Sequence, residues 1–109
     1  MATTTSKTAL ERDCVASDPK HYTVDSENDQ VRVVRIKYNG REKSTMHQHR
    51  PGAVVFLTDC DFKFSYPDGK SEEVHGKAGE TLTFTDVWEH LPENLTDAPF
   101  EGVYVEVKS

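Results

Sequence analysis

What most limits the folds open to this chain is a train of short segments rich in Val, Thr, Phe and Tyr, cut apart by turn residues. No stretch after Asp18 carries the period of a three-turn helix. The segments are KHYTVDS, QVRVVRIKY, GAVVFLTD, DFKFSYP, SEEVHG, ETLTFTD and EGVYVEVKS. Between them lie Glu27-Asn28-Asp29, Asn39-Gly40, Arg50-Pro51-Gly52, Pro67-Asp68-Gly69 and Asp97-Ala98-Pro99, residues that favour turns through fixed or left-handed φ and local side-chain hydrogen bonds. The plainest hairpin is Tyr66-Pro67-Asp68-Gly69-Lys70, which follows the alternating Phe62-x-Phe64-x-Tyr66. Short strands at this spacing predict an all-β sandwich or barrel, in which exposed faces close on one another. The expected inner face comprises Val34 and Ile36 or their alternates, Val55, Leu57, Phe62, Phe64, Phe84 and a C-terminal valine set; Leu82 shares a face with Phe84, and Val103, Val105 and Val107 line one face of the last strand with Tyr104 and Glu106 on the other.

A chain of 109 residues builds one core. Residues 1–18, Thr/Ser-rich and aperiodic, are expected to be a flexible arm with at most a helical turn at TALERD and little share in the core; residues 19–109 form the domain. The net charge of −6, with no block of Lys or Arg, argues against a nucleic-acid or anionic-membrane partner and for a small-molecule or protein partner, of which a small-molecule ligand or substrate is expected. No signal-like apolar run opens the sequence, so a cytoplasmic protein is expected. Cys14 and Cys60 lack C-x-x-C spacing and are expected as free thiols, Cys60 partly exposed at a turn after Asp59.

Two histidines, His47 and His49, stand at i and i+2, so a strand would project both imidazoles from one face, about 6–7 Å apart at Cβ. That separation suits two ligands of one metal ion. His90, in TDVWEHLPEN, is the candidate for a third ligand, while His21 and His75 read as structural histidines.

On these residues the sequence resembles the cupins, in a minimal single-domain form. Their second motif, Gly-x5-Pro-x-Gly-x2-His-x3-Asn, maps without a gap onto Gly79, His90 and Asn94, with Thr85 in the proline place and Val87 in the second glycine place. The first motif maps onto Gly40, one residue too far out, then His47 and His49, with Cys60 at the closing glycine. The motif's glutamate is absent; Ala53 or Val54 occupies its place. The resemblance covers about residues 20–107 and implies a cupin jelly roll, or double-stranded β-helix, with a divalent metal ion (Fe, Zn, Ni, Mn, Co or Cu) held by His47, His49 and His90. Three neutral imidazoles leave the ion's double charge uncompensated, which favours an anionic or enolate-like ligand.

Among cupins without that glutamate, three-histidine Fe(II) dioxygenases acting on thiols or β-diketones are the nearest analogy. A metal-dependent isomerase or lyase, and a non-catalytic module that binds a metabolite or metal, are the alternatives. Polar groups expected near the site are Tyr38 and Arg41 ahead of the first histidines, Gln48 between them, and Trp88, Glu89 and Glu93 around His90; Tyr38, Arg41 and Glu93 are the candidate catalytic residues. Asn94 is expected to be structural. Cupins that pair through N-terminal strands imply a homodimer here, through residues 18–26.

Overall fold

A computed structural model describes residues 9–108. Along the chain come α1 (Cys14–Ser17), β1 (Tyr22–Glu27), β2 (Val31–Tyr38), β3 (His47–His49), β4 (Gly52–Phe56), β5 (Cys60–Ser65), β6 (Ser71–Gly76), β7 (Thr81–Phe84), β8 (Trp88–Asn94) and β9 (Phe100–Val107). The strands form two antiparallel sheets, β1-β2-β9-β4-β7 and β3-β8-β5-β6, in the jelly-roll arrangement expected of an all-β chain. All seven Val/Thr/aromatic segments are strands. The Tyr66–Lys70 hairpin closes as its residues require: Gly69 adopts φ 87°, and the Lys70 N–H donates to Asp68 Oδ1 at 2.9 Å.

The apolar layer lies between the sheets. Val34, Ile36 and Tyr38 alternate inward from β2, and Val54 and Phe56 from β4. From the facing sheet, Phe62 meets Tyr38 and Phe100 edge-on, each with centroids 5.0 Å apart. Cys60 is buried in this layer rather than exposed at a turn, because it already belongs to β5 and pairs with Gly76.

Two strands face the opposite way from the sequence expectation. In β4 the unbroken apolar run gives no parity, and the buried residues are Val54 and Phe56; Leu57, beyond the strand end, is exposed and Val55 lies on the outer face. In β9, Phe100, Gly102, Tyr104 and Glu106 are buried while Val103, Val105 and Val107 face outward. The polar pair turns inward because its needs are met there. Tyr104 Oη donates to the Arg50 carbonyl at 2.6 Å and accepts from Trp88 Nε1 at 3.1 Å, and the Glu106 carboxylate accepts from Arg32 Nε at 2.6 Å.

The ETLTFTD segment and the stretch that carries His90 fall in different sheets. β7 ends at Phe84, and β8 begins at Trp88 and continues through Pro92. Proline is tolerated there because, on the side its nitrogen faces, its neighbour is the irregular segment at 42–44. Ser44 N–H donates to the Pro92 carbonyl and no return bond from residue 92 is needed.

Of the arm expected over 1–18, residues 1–8 lie outside the described residues. The rest packs. The helical turn falls at Cys14–Ser17, after TALERD, with Asp13 as N-cap accepting from the Val15 and Ala16 N–H groups. Cys14 is fully buried, so this segment does contribute to the core. Arg32 holds it down, bonding Asp13 Oδ1 at 2.6 Å while it also bonds Glu106. Removing the carboxylate from this buried pair with Glu106→Ala should cost about 3–5 kcal/mol, measured by urea unfolding, because Arg32 keeps its charge and loses one of its two acceptors. A loss under about 1 kcal/mol would contradict that assignment.

Candidate metal centre

β3 pairs with β8 so that His47 lies directly opposite His90 and His49 opposite Trp88. The i, i+2 spacing puts His47 and His49 on one face of β3, and the register adds His90 from the neighbouring strand. All three rings are buried. His49 Nε2 lies 3.1 Å from His47 Nε2 and 3.1 Å from His90 Nε2. Two nitrogens about 2.0–2.1 Å from a common ion, at angles between octahedral and tetrahedral, are roughly 2.8–3.4 Å apart, so the observed spacing is that of one coordination sphere.

The protons sharpen this. His47 Nδ1 lies 2.9 Å from the Thr45 carbonyl, which can only accept, so Nδ1 carries the hydrogen and Nε2 of the neutral ring presents a bare lone pair. Burial lowers the pKa of His47 to about 4; burial, then the neighbouring histidines, holds His49 and His90 well below the ordinary imidazole value. The rings are therefore neutral at pH 7. A single hydrogen on His49 Nε2 cannot serve two neighbours at once, whereas one cation between the nitrogens satisfies all three. The buried Nδ1 atoms of His49 and His90 have no hydrogen-bond partner, and both rings meet their histidine neighbours through Nε2.

Behind His47 runs a line of polar groups to the surface. Ser44 Oγ, 3.1 Å from His47 Nδ1, donates to Asp18 Oδ2 at 2.5 Å. His21 Nδ1 lies 2.6 Å from the same Asp18 oxygen, His21 Nε2 lies 3.0 Å from Glu42 Oε1, and Lys20 reaches Glu42 Oε2 at 2.6 Å. Burial acts to raise the Asp18 pKa, but the bonds from Ser44 and His21 outweigh it and hold the carboxyl below its ordinary value. The anion so retained fixes Ser44 as an acceptor toward His47, hence the tautomer that leaves Nε2 free. His21, expected as structural, stacks on Tyr38 at 4.1 Å and completes this line without joining the three histidines. The signals in the sequence were Asp18 three residues before His21 and Ser44 three before His47; neither Asp18 nor Ser44 was singled out.

The other candidates divide. Tyr38 lines the cavity beside the histidines, its Oη 2.6 Å from Tyr22 Oη, and burial raises its pKa. Trp88 also lines it, stacked on Phe84 at 4.1 Å with His90 at 4.2 Å. Arg41 does not reach the site: it turns outward at φ 64° and bonds Asp97 at 2.8 Å. Glu93 does not either, because Pro92 and Asn94 take the buried face of β8 and the alternation puts Glu93 on the other. Glu89 shares that outer face, paired with Arg12 at 2.6 Å, and Gln48 accepts from the Arg12 N–H at 2.9 Å. His75 is exposed between Asp61 and Glu73. Asn94 is buried and structural, its amide donating to the carbonyls of Asn39 and Ala98. At the place of the cupin glutamate, Val54 faces the cavity and Ala53 faces away.

Among the described residues one other set could in principle ligate an ion: Cys14, His49 and Glu106, whose donor atoms lie within 4.8 Å of one another. Arg32 already supplies a cation there, bonded to Glu106 and 3.9 Å from Cys14 Sγ. Burial pushes the Cys14 thiol far above its ordinary pKa, so it is a poor ligand. The three-histidine set is the better site.

The sequence matches no family model and no curated protein. Solved structures do match. A cupin domain from Bordetella pertussis Tohama I is 26% identical, with a TM-score of 0.75 over 81% of this chain and 92% of that one. An RmlC-like cupin with a double-stranded β-helix fold from Methanocaldococcus jannaschii gives 0.62 at 15% identity, covering 81% of each chain. The polyketide cyclase RemF from Streptomyces resistomycificus gives 0.61 at 17% identity, covering all of this chain and 81% of that one.

Buried neutral imidazoles make the stability of the metal-free protein depend on pH. Between the unfolded value near 6.5 and the depressed folded value near 4 for His47, the unfolded chain binds more protons, so stability rises with pH. The contribution is fully present above about pH 6.5 and is lost as pH falls toward 4, which should appear as a falling urea midpoint. A triple His47→Gln, His49→Gln, His90→Gln variant should flatten that slope; an unchanged slope would show that the rings are not buried neutral.

Proposed function

Taking as premise that the chain is a small single-domain cupin, we propose that it binds a divalent metal ion on His47, His49 and His90 and acts on a small molecule in the adjoining cavity, in a dioxygenase-like reaction. One observation carries this: three Nε2 atoms converge with no arrangement of hydrogens that satisfies them, in a buried pocket. When bound, the ion supplies Lewis-acid polarisation of a chelating molecule and, if it is redox-active, electrons for oxygen chemistry.

The protein's own groups do the rest. Thr45 and Ser44 orient His47, with Asp18 behind Ser44. Tyr22 packs edge-on against His47 at 4.7 Å and Phe64 against His90 at 4.4 Å, which keeps water from the histidines on those sides. The isomerase or lyase alternative asks for a proton-transfer group. The cavity lining holds no carboxylate or lysine, and burial raises its tyrosine pKa values. That favours oxygen chemistry, or binding without turnover, over acid–base chemistry. Two free, buried cysteines suit a cytoplasmic protein, and no helix among the described residues is long and apolar enough to cross a membrane.

Elemental analysis of tag-free protein should find close to one equivalent of transition metal, lost in His47→Ala/His49→Ala. Ser44→Ala and Asp18→Asn should weaken metal binding about 10–100-fold while the fold is kept. Iron-loaded protein should consume oxygen with a member of a panel of thiols, diketones and small acids. Equal consumption by the double-histidine variant would overturn the metal-centred reading, and metal without consumption would leave the binding module.

A homodimer through residues 18–26 belongs to the same proposal. β1 ends the five-stranded sheet, leaving one edge open for a second copy, and Val24 on it is exposed. Sedimentation equilibrium should give twice the chain mass, and Val24→Lys should return the protein to monomer.

A further inference from the structure

A buried carboxylate stands behind His49. Glu106 is fully buried on β9, beside Gly52 of β4. Its Oε1 accepts from Arg32 Nε at 2.6 Å and its Oε2 from the Arg50 N–H at 3.4 Å, the long end of the range, while a carboxylate has about four lone-pair positions to offer. Arg50 directly follows His49, so the second contact sets Oε2 against the backbone that carries the ring. A ring nitrogen of His49, a Glu106 carboxylate oxygen and Cys14 Sγ lie within 4.8 Å of one another. Nδ1 is the nitrogen on the backbone side of an imidazole; Nε2, at the tip, is 3.1 Å from each neighbouring histidine. His49 Nδ1 is buried and has no hydrogen-bond partner.

An ion held at Nε2 obliges a neutral imidazole to carry its hydrogen on Nδ1, and a buried N–H without an acceptor is destabilising. Burial keeps the Cys14 thiol protonated, and a thiol accepts weakly, so the carboxylate is the strong acceptor of the set. Resting on the metal site proposed above, we propose that Glu106 is the positioning residue of His49: Oε2 takes the Nδ1 hydrogen and so fixes the tautomer and the plane of the ring, as Thr45 and Ser44 do for His47. Contact is direct or through one water, since two hydrogen bonds of about 2.8 Å made by a water span roughly 4.6 Å. Glu106 then has one duty on each oxygen. Oε1 holds Arg32, and through it the Asp13 that caps α1; Oε2 holds a metal ligand. Where the motif would place a ligating carboxylate the chain has Ala53 and Val54, and the carboxylate on β9 acts on the ion through the ring, making Nε2 a stronger donor.

Glu106→Gln separates the two duties. The amide matches the carboxylate in size but has one acceptor atom in place of two, so it can serve Arg32 or His49 and not both. With its oxygen on Arg32, its NH2 group meets Nδ1 and demands the opposite tautomer, with the hydrogen on Nε2. Zn(II) affinity in equilibrium dialysis should fall about 10–100-fold. A loosened fold could weaken binding too, so the deciding readout is the hydrogen itself. In Zn(II)-loaded protein carrying isotope-labelled histidine, NMR should show the His49 Nδ1–H as a downfield signal, slow to exchange with solvent, that moves upfield or vanishes in Glu106→Gln. Wild-type Zn(II) affinity in Glu106→Gln, or a His49 Nδ1–H signal at one position in both proteins, would overturn the role of Glu106 while leaving the metal site standing. Should the variant not fold, the wild-type spectrum decides: a His49 Nδ1–H in fast exchange with solvent would overturn it. No Zn(II) bound by the wild type would overturn the metal site, and this inference with it.

Discussion

The pairing of β3 with β8 is the contact on which the candidate site depends. His47 and His49 share a face because strand side chains alternate, and the register that sets His47 opposite His90 brings the third ring to the same point. A slip by one residue would turn the His90 ring to the outer face now held by Glu89 and Glu93. That register is secured at both ends. Gln48 N–H and its side chain bond the backbone of Arg12 beyond the open edge of β3, and Asn94 ties the far end of β8 to the loops at 39 and 98.

The surroundings of the three rings are unequal. His47 has its tautomer set by Thr45 and by the line from Ser44 through Asp18 and His21 to Glu42, whereas His49 and His90 are held by ring packing, His49 between Tyr104 and Trp88 and His90 beside Phe64. One ring is thus fixed by hydrogen bonds and two by aromatic walls. The same walls bound the cavity, so the rings that pack the histidines also shape the space beside them.

Much of this could be read from the residues. The strands, the Tyr66–Lys70 hairpin and the meeting of His47, His49 and His90 followed from period-two patterning, turn chemistry and motif spacing. The faces of β4 and β9 did not follow. Gly52–Phe56 offers no polar residue to mark a side, and in β9 the outcome rests on partners far along the chain, Arg32 for Glu106 and Arg50 for Tyr104. Arg41 and Glu93 were attractive because they neighbour the histidines in sequence, yet the side chain that reaches His47 is Ser44, with Asp18 brought behind it from before β1 by folding. Proximity along a strand is a poor guide to proximity across it, since adjacent residues face opposite ways.

The short turn at Cys14–Ser17 ends on Asp18, so the segment that shields the Cys14 thiol also delivers the carboxylate standing behind His47. Docking of this segment and the placing of the Ser44 hydroxyl beside His47 are thus tied through one carboxylate. The N-terminal stretch is thereby built into the support of the first histidine.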